Sequence, residues 1–352
     1  MKKLVLAALA IGAMAACTKS NVQFDQPGEI AFQPVAQKAT KSTSSATEYP
    51  VSENFNVWAW WGSENAGSSS FVSPMLYIDK GTFAKKDNSW GGYPTPYYWP
   101  TTGSLLFAGY SPAAAQGTFE YVLNTKTFTA TDFTQKFDIS ETVDLMWFDV
   151  IGISYNKTTM PQTGVPAKFK HALAWLTFNF NLENGAPANW RVKEVTLTGI
   201  ENVSTFTAVK GEDPSWGALT TTGDGRMNVY TNATGVTIAK TANGTVLENT
   251  ADASIEKGAV LVIPQSCKKG DASLEITYDL KNPAYKEGIN NGAKEYLLAQ
   301  KVVLPLNGNI VGDAWKVGTH YIYNIVFGAN EILIAPEVAA WNPVVNQDIT
   351  VQ

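Results

Sequence analysis

The first residue that could carry chemistry is Cys17, which follows a short export-type leader. The chain starts with Met1-Lys2-Lys3, continues through an apolar run from Leu4 to Met14, and reaches Cys17 after two alanines. A positive start, a short apolar run and a small-residue exit are typical of a signal peptide, here residues 1–16. A cysteine at this point fits a bacterial lipobox, in which the thiol is acylated and anchors the mature protein to the outer membrane. We predict lipidation of Cys17, with an ordinary leader cut near Ala15 or Ala16 as the alternative.

Catalytic and metal-binding patterns are sparse. His171 and His320 are the only histidines, and each adjoins a predicted strand, so we expect local hydrogen bonds at strand ends. No nucleophile elbow, His-Glu-x-x-His motif or phosphate loop occurs. The acidic residues are scattered through turns, and a hydrolase would require two of them to converge in a cleft. We predict that the protein is not an enzyme and binds neither a metal nor a cofactor.

An aromatic loop offers a different kind of chemistry. Residues 90–100 read Trp-Gly-Gly-Tyr-Pro-Thr-Pro-Tyr-Tyr-Trp-Pro. Rings such as Trp90 and Trp99 could stack on a sugar, although large aromatic side chains more often serve packing. The alternative function from the sequence is therefore a monomeric surface lipoprotein that binds glycans through Trp90 and Trp99.

Composition excludes several classes of protein. Hydrophobic residues make up 45% of the 352 residues and charged residues 16%, with a net charge of −5. Arg191 and Arg226 are the only arginines, so the basic stripe of a nucleic-acid binder is missing. Once Cys17 is lipidated, Cys267 is the sole remaining cysteine, so no disulfide can form within the chain. We expect the Cys267 thiol to be unreactive.

The body of the chain has the pattern of an all-β protein. Short runs rich in β-branched and aromatic residues alternate with clusters of Gly, Asn, Asp and Pro. In residues 173–182, Leu176, Phe178, Phe180 and Leu182 share one face at strand spacing. The best candidate for a helical turn lies around Thr131–Phe137. Chain length favours two domains.

We predict domain boundaries from the turn-rich segments. Residues 17–48 are a polar tether, 49–163 form an N-terminal β-sandwich, and 164–352 form a C-terminal β-sandwich. The boundary lies in Met160-Pro-Gln-Thr-Gly-Val-Pro-Ala167.

One extended segment stands out within the tether. In residues 29–38, Ile30 and Phe32 share a face at strand spacing, and Pro34 would confine such a strand to a sheet edge. The Ser/Thr run after Lys41 has the composition of an exposed, protease-sensitive stretch.

Taken together, these features resemble the fimbrillin-like family of type V pilins and pilus-associated lipoproteins. The resemblance covers nearly the whole chain in order. Its motifs are the lipobox at Cys17, Ile30-Ala-Phe with Lys-Ala-Thr-Lys41, Tyr97-Tyr-Trp-Pro100, Leu105-Leu-Phe-Ala-Gly-Tyr110, Phe169-Lys-His-Ala-Leu-Ala-Trp-Leu-Thr-Phe178, Trp315-Lys-Val-Gly-Thr-His-Tyr-Ile-Tyr323 and Trp341-Asn-Pro343.

The resemblance implies two transthyretin-like β-sandwich domains in tandem and assembly with other pilin subunits by strand exchange. In the family, a trypsin-like protease removes the first strand, and a donor strand from the next subunit fills the vacated groove. Segment 29–38 is then the removable strand, with Ile30 and Phe32 as its buried residues. Lys38 and Lys41 are candidate cleavage sites, a departure from the arginine usual in the family, because no arginine precedes Arg191.

The candidate donor strand is residues 344–352, in which Val345, Ile349 and Val351 fall on one face. The alternative is that this segment forms the last strand of its own domain. That choice also separates a shaft subunit from a tip or anchor subunit, because a tip needs no donor. Host or bacterial surface receptors are further candidate partners.

Overall fold

The computed structural model describes most of the chain in ranges separated by short gaps. These ranges are 28–36, 49–50, 52–63, 74–86, 89–154, 164–186, 189–241, 245–247, 260–267, 271–282, 284–289, 292–306, 313–328 and 332–339. Within them, strands and turns dominate and the only helix is a single 3₁₀ turn at Ile139–Glu141. The all-β prediction is confirmed.

Strands β1 to β10 belong to the first half of the chain. Their bounds are β1 (Ala31–Phe32), β2 (Val35–Ala36), β3 (Phe55–Gly62), β4 (Met75–Lys86), β5 (Ser89–Gly92), β6 (Ser104–Ser111), β7 (Thr118–Val122), β8 (Thr127–Thr134), β9 (Met146–Ser154) and β10 (Lys168–His171).

Strands β11 to β21 complete the fold. Their bounds are β11 (Ala174–Leu182), β12 (Trp190–Thr198), β13 (Val203–Val209), β14 (Ser215–Trp216), β15 (Arg226–Thr237), β16 (Thr245–Val246), β17 (Val260–Val262), β18 (Ser273–Lys281), β19 (Tyr296–Pro305), β20 (His320–Phe327) and β21 (Ile332–Ala339).

The largest sheet has eight strands in the order β1-β5-β4-β3-β6-β9-β10-β2. Both of its faces are buried at the centre, which explains why β3 is an almost continuous apolar run. Phe55, Val57 and Ala59 face one apolar cluster, whereas Trp58 and Trp60 face another.

A four-stranded sheet in the order β14-β13-β8-β7 supplies the partner layer for Trp58 and Trp60. Its strand β8 is extended from Thr127 to Thr134, so the helical turn expected around Thr131–Phe137 does not form. Phe133 is instead fully buried, and Phe128 stacks on Tyr110 across the layers, with ring centroids 6.0 Å apart.

Strand pairing crosses the predicted boundary between residues 163 and 164. Strand β10 pairs with β9, and β13 pairs with β8 over the register Val203↔Thr134 to Val209↔Thr127. The first sandwich therefore uses strands from both sides of that boundary. Proline and glycine mark where a strand ends, but they carry no information on which distant strand the chain pairs with next.

The second sandwich packs a five-stranded sheet on a four-stranded sheet. The five-stranded sheet has the order β16-β11-β20-β21 with β17 also paired to β11, and the other has the order β15-β12-β18-β19. Strands β11 and β20 run parallel, from Trp175↔His320 to Leu182↔Phe327. The alternating residues predicted for 173–182 do face this core, since Leu176, Phe178, Phe180 and Leu182 are buried in it.

The two sandwiches share apolar and polar contacts. Trp175 and Leu261 belong to the same apolar cluster as Trp58 and Phe206. The Gln135 amide donates to the carbonyl oxygens of Val143 and Leu261, at 3.0 and 3.1 Å.

His320 lies at this junction as a neutral side chain. Its ring stacks on Trp175 with centroids 3.8 Å apart, and its Nε2 lies 2.9 Å from the hydroxyl of Thr177. Burial lowers the pKa of His320 from 6.5 to about 4, because the imidazolium would lose its hydration.

We expect this buried histidine to make stability pH-dependent. Its folded pKa lies below the unfolded value, so its contribution is complete above pH 6.5 and is lost as the pH falls from 6.5 to 4. The loss is about 3 kcal/mol of unfolding free energy. His320→Gln keeps a hydrogen-bonding group but does not titrate, so urea unfolding at pH 7 and pH 4 should show a smaller pH dependence in the variant. Equal pH dependence in both proteins would contradict this role.

Candidate functional site

The most informative site is the seat of the N-terminal extended segment, residues 28–36, which we call the plug segment. It lies between two edges of the large sheet and pairs with both. On one side β1 is antiparallel to β5, and on the other β2 is parallel to β10. The plug segment therefore closes the sheet order on itself, because β1 and β2 occupy its two ends.

Backbone hydrogen bonds hold the plug segment on each side. They are Ile30 N–H to Tyr97 O (2.7 Å), Trp99 N–H to Gly28 O (3.0 Å), Val165 N–H to Ala31 O (2.8 Å), Gln33 N–H to Val165 O (2.9 Å) and Val35 N–H to Ala167 O (2.8 Å).

Pro34 lies where the segment is paired on one side only, as the prediction from sequence requires, although the segment as a whole pairs on both sides. It falls between the last pair of β1 with β5 and the first pair of β2 with β10. The N–H groups of Gln33 and Val35 point to residues 165 and 167, so the nitrogen of Pro34 faces the opposite side. A residue without an N–H is tolerated there because the segment has already left β5.

Every second residue of the plug segment is buried. Ile30, Phe32, Pro34 and Ala36 face the core, whereas Gln33 between them is exposed. Sequence reasoning identified Ile30 and Phe32 but missed Pro34 and Ala36. The spacing of two residues that joins all four was visible in the sequence, and it could have extended the predicted face.

Phe32 fills an aromatic pocket. It is completely buried, and its ring meets Phe83, Phe107 and Phe55 edge-on, with centroids 4.7, 5.4 and 5.5 Å away. Phe148 adds a fourth ring at 6.3 Å. Because these four rings come from four different strands, Phe32 joins strands that are far apart in sequence.

An ion pair and a glycine lie directly beside the plug segment. The Lys86 ammonium lies 2.9 Å from the Glu29 carboxylate, at the exposed start of the segment. Gly164 has φ +64°, and a Cβ there would lie 3.1 Å from the carbonyl oxygen of Ala31. The backbone at residue 164 can approach the plug segment because it carries no side chain.

Tyr49 marks where the chain re-enters the same core. Its ring lies 5.2 Å from Phe169 and 5.6 Å from Phe55, and its hydroxyl is hydrogen-bonded to Ser111. Burial raises the pKa of the Tyr49 phenol above its usual range. Residues 37–48, between the plug segment and Tyr49, lie outside the described residues.

The structure buries both rings of the glycan-binding alternative. Trp90 is 7% exposed and pairs with Phe32 in the sheet register, and Trp99 is 3% exposed against Phe107. A sugar needs an open ring face, and the ammonium of Lys85 already lies 4.0 Å from the Trp90 ring centre. This placement does not fit glycan binding through Trp90 and Trp99. The loop curves so that its tryptophans complete the core, while Tyr93 and Tyr98 are exposed.

Several predicted residues lie outside the described residues. They are Cys17, Lys38, Lys41, Val345, Ile349 and Val351. The proposed lipidation, cleavage and donor roles therefore stay predictions.

The few side chains that could carry chemistry lie apart from one another in the described part of the chain. That part contains no group of three His, Cys, Asp or Glu side chains that could hold a metal ion. His171 Nδ1 lies 2.7 Å from an oxygen of Asp144. Separately, no helix in the described ranges is long and apolar enough to cross a membrane. Burial raises the pKa of Cys267 to about 11, so its thiol stays protonated at neutral pH.

Comparison with known proteins agrees with this architecture. The fold is similar to a fimbrial protein from Bacteroides vulgatus, with a TM-score of 0.54, 14% identity, and coverage of 90% of this chain and 100% of that chain. It is also similar to a candidate cell adhesion protein from Bacteroides uniformis, with a TM-score of 0.52, 14% identity, and coverage of 90% and 98%. At these identities the likeness shows the fold alone.

Sequence comparison gives the family. No curated protein sequence matches the chain. The sequence profile of the fimbrillin-like proteins matches residues 40–341, which is most of the chain. The protein therefore belongs to the fimbrillin-like family.

Proposed function

We propose that this chain is a structural subunit of a type V-like surface fimbria, assembled by protease-triggered strand exchange. Family membership supports a fimbrial subunit at the cell surface, with a structural rather than a catalytic role. The finer proposal adds export as a lipoprotein through Cys17, assembly with other pilin subunits and a contribution to adhesion.

The observation that carries the proposal is the two-sided pairing of the plug segment. Loss of this segment would leave unpaired backbone groups along residues 90–99 and 165–169. It would also open the aromatic pocket around Phe32. An incoming strand from another subunit would satisfy both the backbone groups and the pocket.

The position of the plug segment in the chain supports its removal. It precedes every other described strand, and residues 37–48, which contain Lys38 and Lys41, connect it to the sandwich. One cut in that connection would leave the plug segment held by non-covalent contacts alone. Donation by one subunit into the groove of the next is a head-to-tail contact, which produces a filament rather than a closed ring.

We expect Phe32→Ala to lower the free energy of unfolding by about 3–5 kcal/mol, because it leaves a cavity among four aromatic rings. Gln33→Ala is the matched control, since Gln33 is exposed and its change should cost less than about 0.5 kcal/mol. Denaturant unfolding of the chain from residue 18 onward measures both values. Similar values for the two variants would argue against a closing role for Phe32.

We expect limited trypsin treatment of the same chain to cut at Lys38 or Lys41 and to start assembly. The double variant Lys38→Gln, Lys41→Gln removes both cleavage sites and should stay monomeric under the same conditions. Light scattering, mass spectrometry and negative-stain microscopy follow size, cleavage and shape. Parent chains that are cut but remain monomeric, or double-variant chains that assemble equally well, would overturn protease-triggered self-assembly.

We expect Cys17 to carry the lipid. In cells given labelled palmitate, the parent protein should take up label and fractionate with the outer membrane. Cys17→Ser should lose both properties, because serine provides no thiol to acylate. Label in both proteins would place the lipid on another residue, and label in neither would show that no lipid is attached.

A further inference from the structure

Two segments of this chain share a seven-residue pattern. Residues 31–37 are Ala-Phe-Gln-Pro-Val-Ala-Gln, and residues 340–346 are Ala-Trp-Asn-Pro-Val-Val-Asn. Alanine, proline and valine are identical at the first, fourth and fifth positions. The other four positions pair Phe with Trp, Gln with Asn, Ala with Val, and Gln with Asn.

The structure shows which of the matched positions are buried in the plug segment. Within the plug segment, Phe32, Pro34 and Ala36 are the buried residues, and Gln33 is exposed. In residues 340–346 the residues that match Phe32, Pro34 and Ala36 in sequence are Trp341, Pro343 and Val345, all apolar. The residue that matches Gln33 is an asparagine. The proline also recurs where the plug segment changes its pairing from β5 to β10 and needs no N–H.

We propose that residues 340–346 of a second copy are the segment that enters the vacated groove, with Trp341 in the site of Phe32. Pro343 then takes the place of Pro34, and Val345 the place of Ala36. The inference rests on the proposed strand exchange, and it names the donor segment and its register. It moves the centre of the donor from residues 344–352 to 340–346.

The course of the chain supports this occupant. Strand β21 pairs with β20 from Ile332↔Phe327 to Ala339↔His320 and ends at Ala339. The matching segment starts at the next residue, so the donor would continue directly from a strand anchored in its own sandwich. In a copy that keeps its plug segment the groove is filled, so the donor of that copy can enter only the vacated groove of a second, cut copy.

The register also explains which C-terminal residues should matter most. In this alignment Ile349 and Val351 fall opposite residues 40 and 42, beyond the last paired residue of the plug segment, Ala36. They would extend the contact past the aromatic pocket. Trp341 would instead supply the ring that the pocket requires.

The indole of Trp341 is larger than the phenyl ring of Phe32, and this affects when the donor can enter the groove. The pocket closes completely around Phe32, so the larger indole of Trp341 has to displace neighbouring rings. An uncut plug segment should therefore exclude the donor, and these rings should move when the donor enters the vacated groove. Trp341→Phe should fit the pocket at least as well as the natural residue.

Peptide exchange tests the proposal. The chain from residue 18 onward, carrying Phe32→Ala to weaken the resident plug, is cut with trypsin and mixed with fluorescent peptides. The peptides are residues 28–37, residues 337–347, residues 337–347 with Trp341→Ala, and residues 344–352. We expect the first two to bind by anisotropy, the Trp341→Ala peptide to bind at least tenfold more weakly than its parent, and residues 344–352 to bind more weakly still.

The outcomes distinguish strand exchange itself from the assignment of residues 340–346 as the donor. If residues 28–37 do not bind the cut chain, strand exchange and the donor assignment both fail. If residues 28–37 bind but residues 337–347 do not, or if Trp341→Ala binds as well as its parent, the donor assignment is overturned and strand exchange stands.

Variants of the whole chain provide an independent comparison. Trp341→Ala should abolish trypsin-dependent assembly, whereas Trp341→Phe and the matched control Ile349→Ala should keep it. Assembly that survives Trp341→Ala but fails in Ile349→Ala would overturn the proposed register.

Discussion

The closure of the large sheet by the plug segment is the constraint on which the first sandwich depends. Residues 28–36 pair with both edges of that sheet, near residues 90–99 and 165–169, which otherwise lie at opposite ends of the run β5-β4-β3-β6-β9-β10. Phe32 adds side-chain contacts to strands β3, β4, β6 and β9. One short segment thus completes both the backbone pairing and an aromatic core.

The division of the interior into three apolar clusters would limit the effect of losing such a segment to one part of the fold. Ile30, Phe32 and Ala36 belong to one cluster only. A second cluster joins the large sheet to β7, β8 and β13 and to the second sandwich, and a third fills the second sandwich. Removal of the plug segment would weaken the first cluster, while the tryptophans on the opposite face of β3 would keep their partners. Strands contributed across residue 163 strengthen this body, because they tie β8 and β9 to later parts of the chain.

The proposed donor role would explain why two segments of one chain have similar sequences. The plug segment carries an aromatic residue, a proline and a small aliphatic residue at alternate positions, with an amide and a valine between them. Residues 31–37 and 340–346 both satisfy this pattern. If one segment closes its own sheet and the other closes a neighbour's, both are selected for the same pocket. On that proposal, cleavage between the plug segment and the sandwich would decide which of the two segments holds the groove.

Sequence alone was enough to predict the all-β class, the alternating faces of strands such as 174–182, the buried face containing Ile30 and Phe32, and the family. These properties follow from local periodicity and from motifs that occur in order along the chain. Three features became visible only in the folded protein: the plug segment pairs on both sides, β13 joins the first sandwich, and Trp90 and Trp99 are buried. Period-two alternation shows which side chains share a face, but it does not identify the strand that will lie alongside. Pairing partners and ring burial depend on contacts between residues far apart in sequence, and those contacts exist only once the chain has folded.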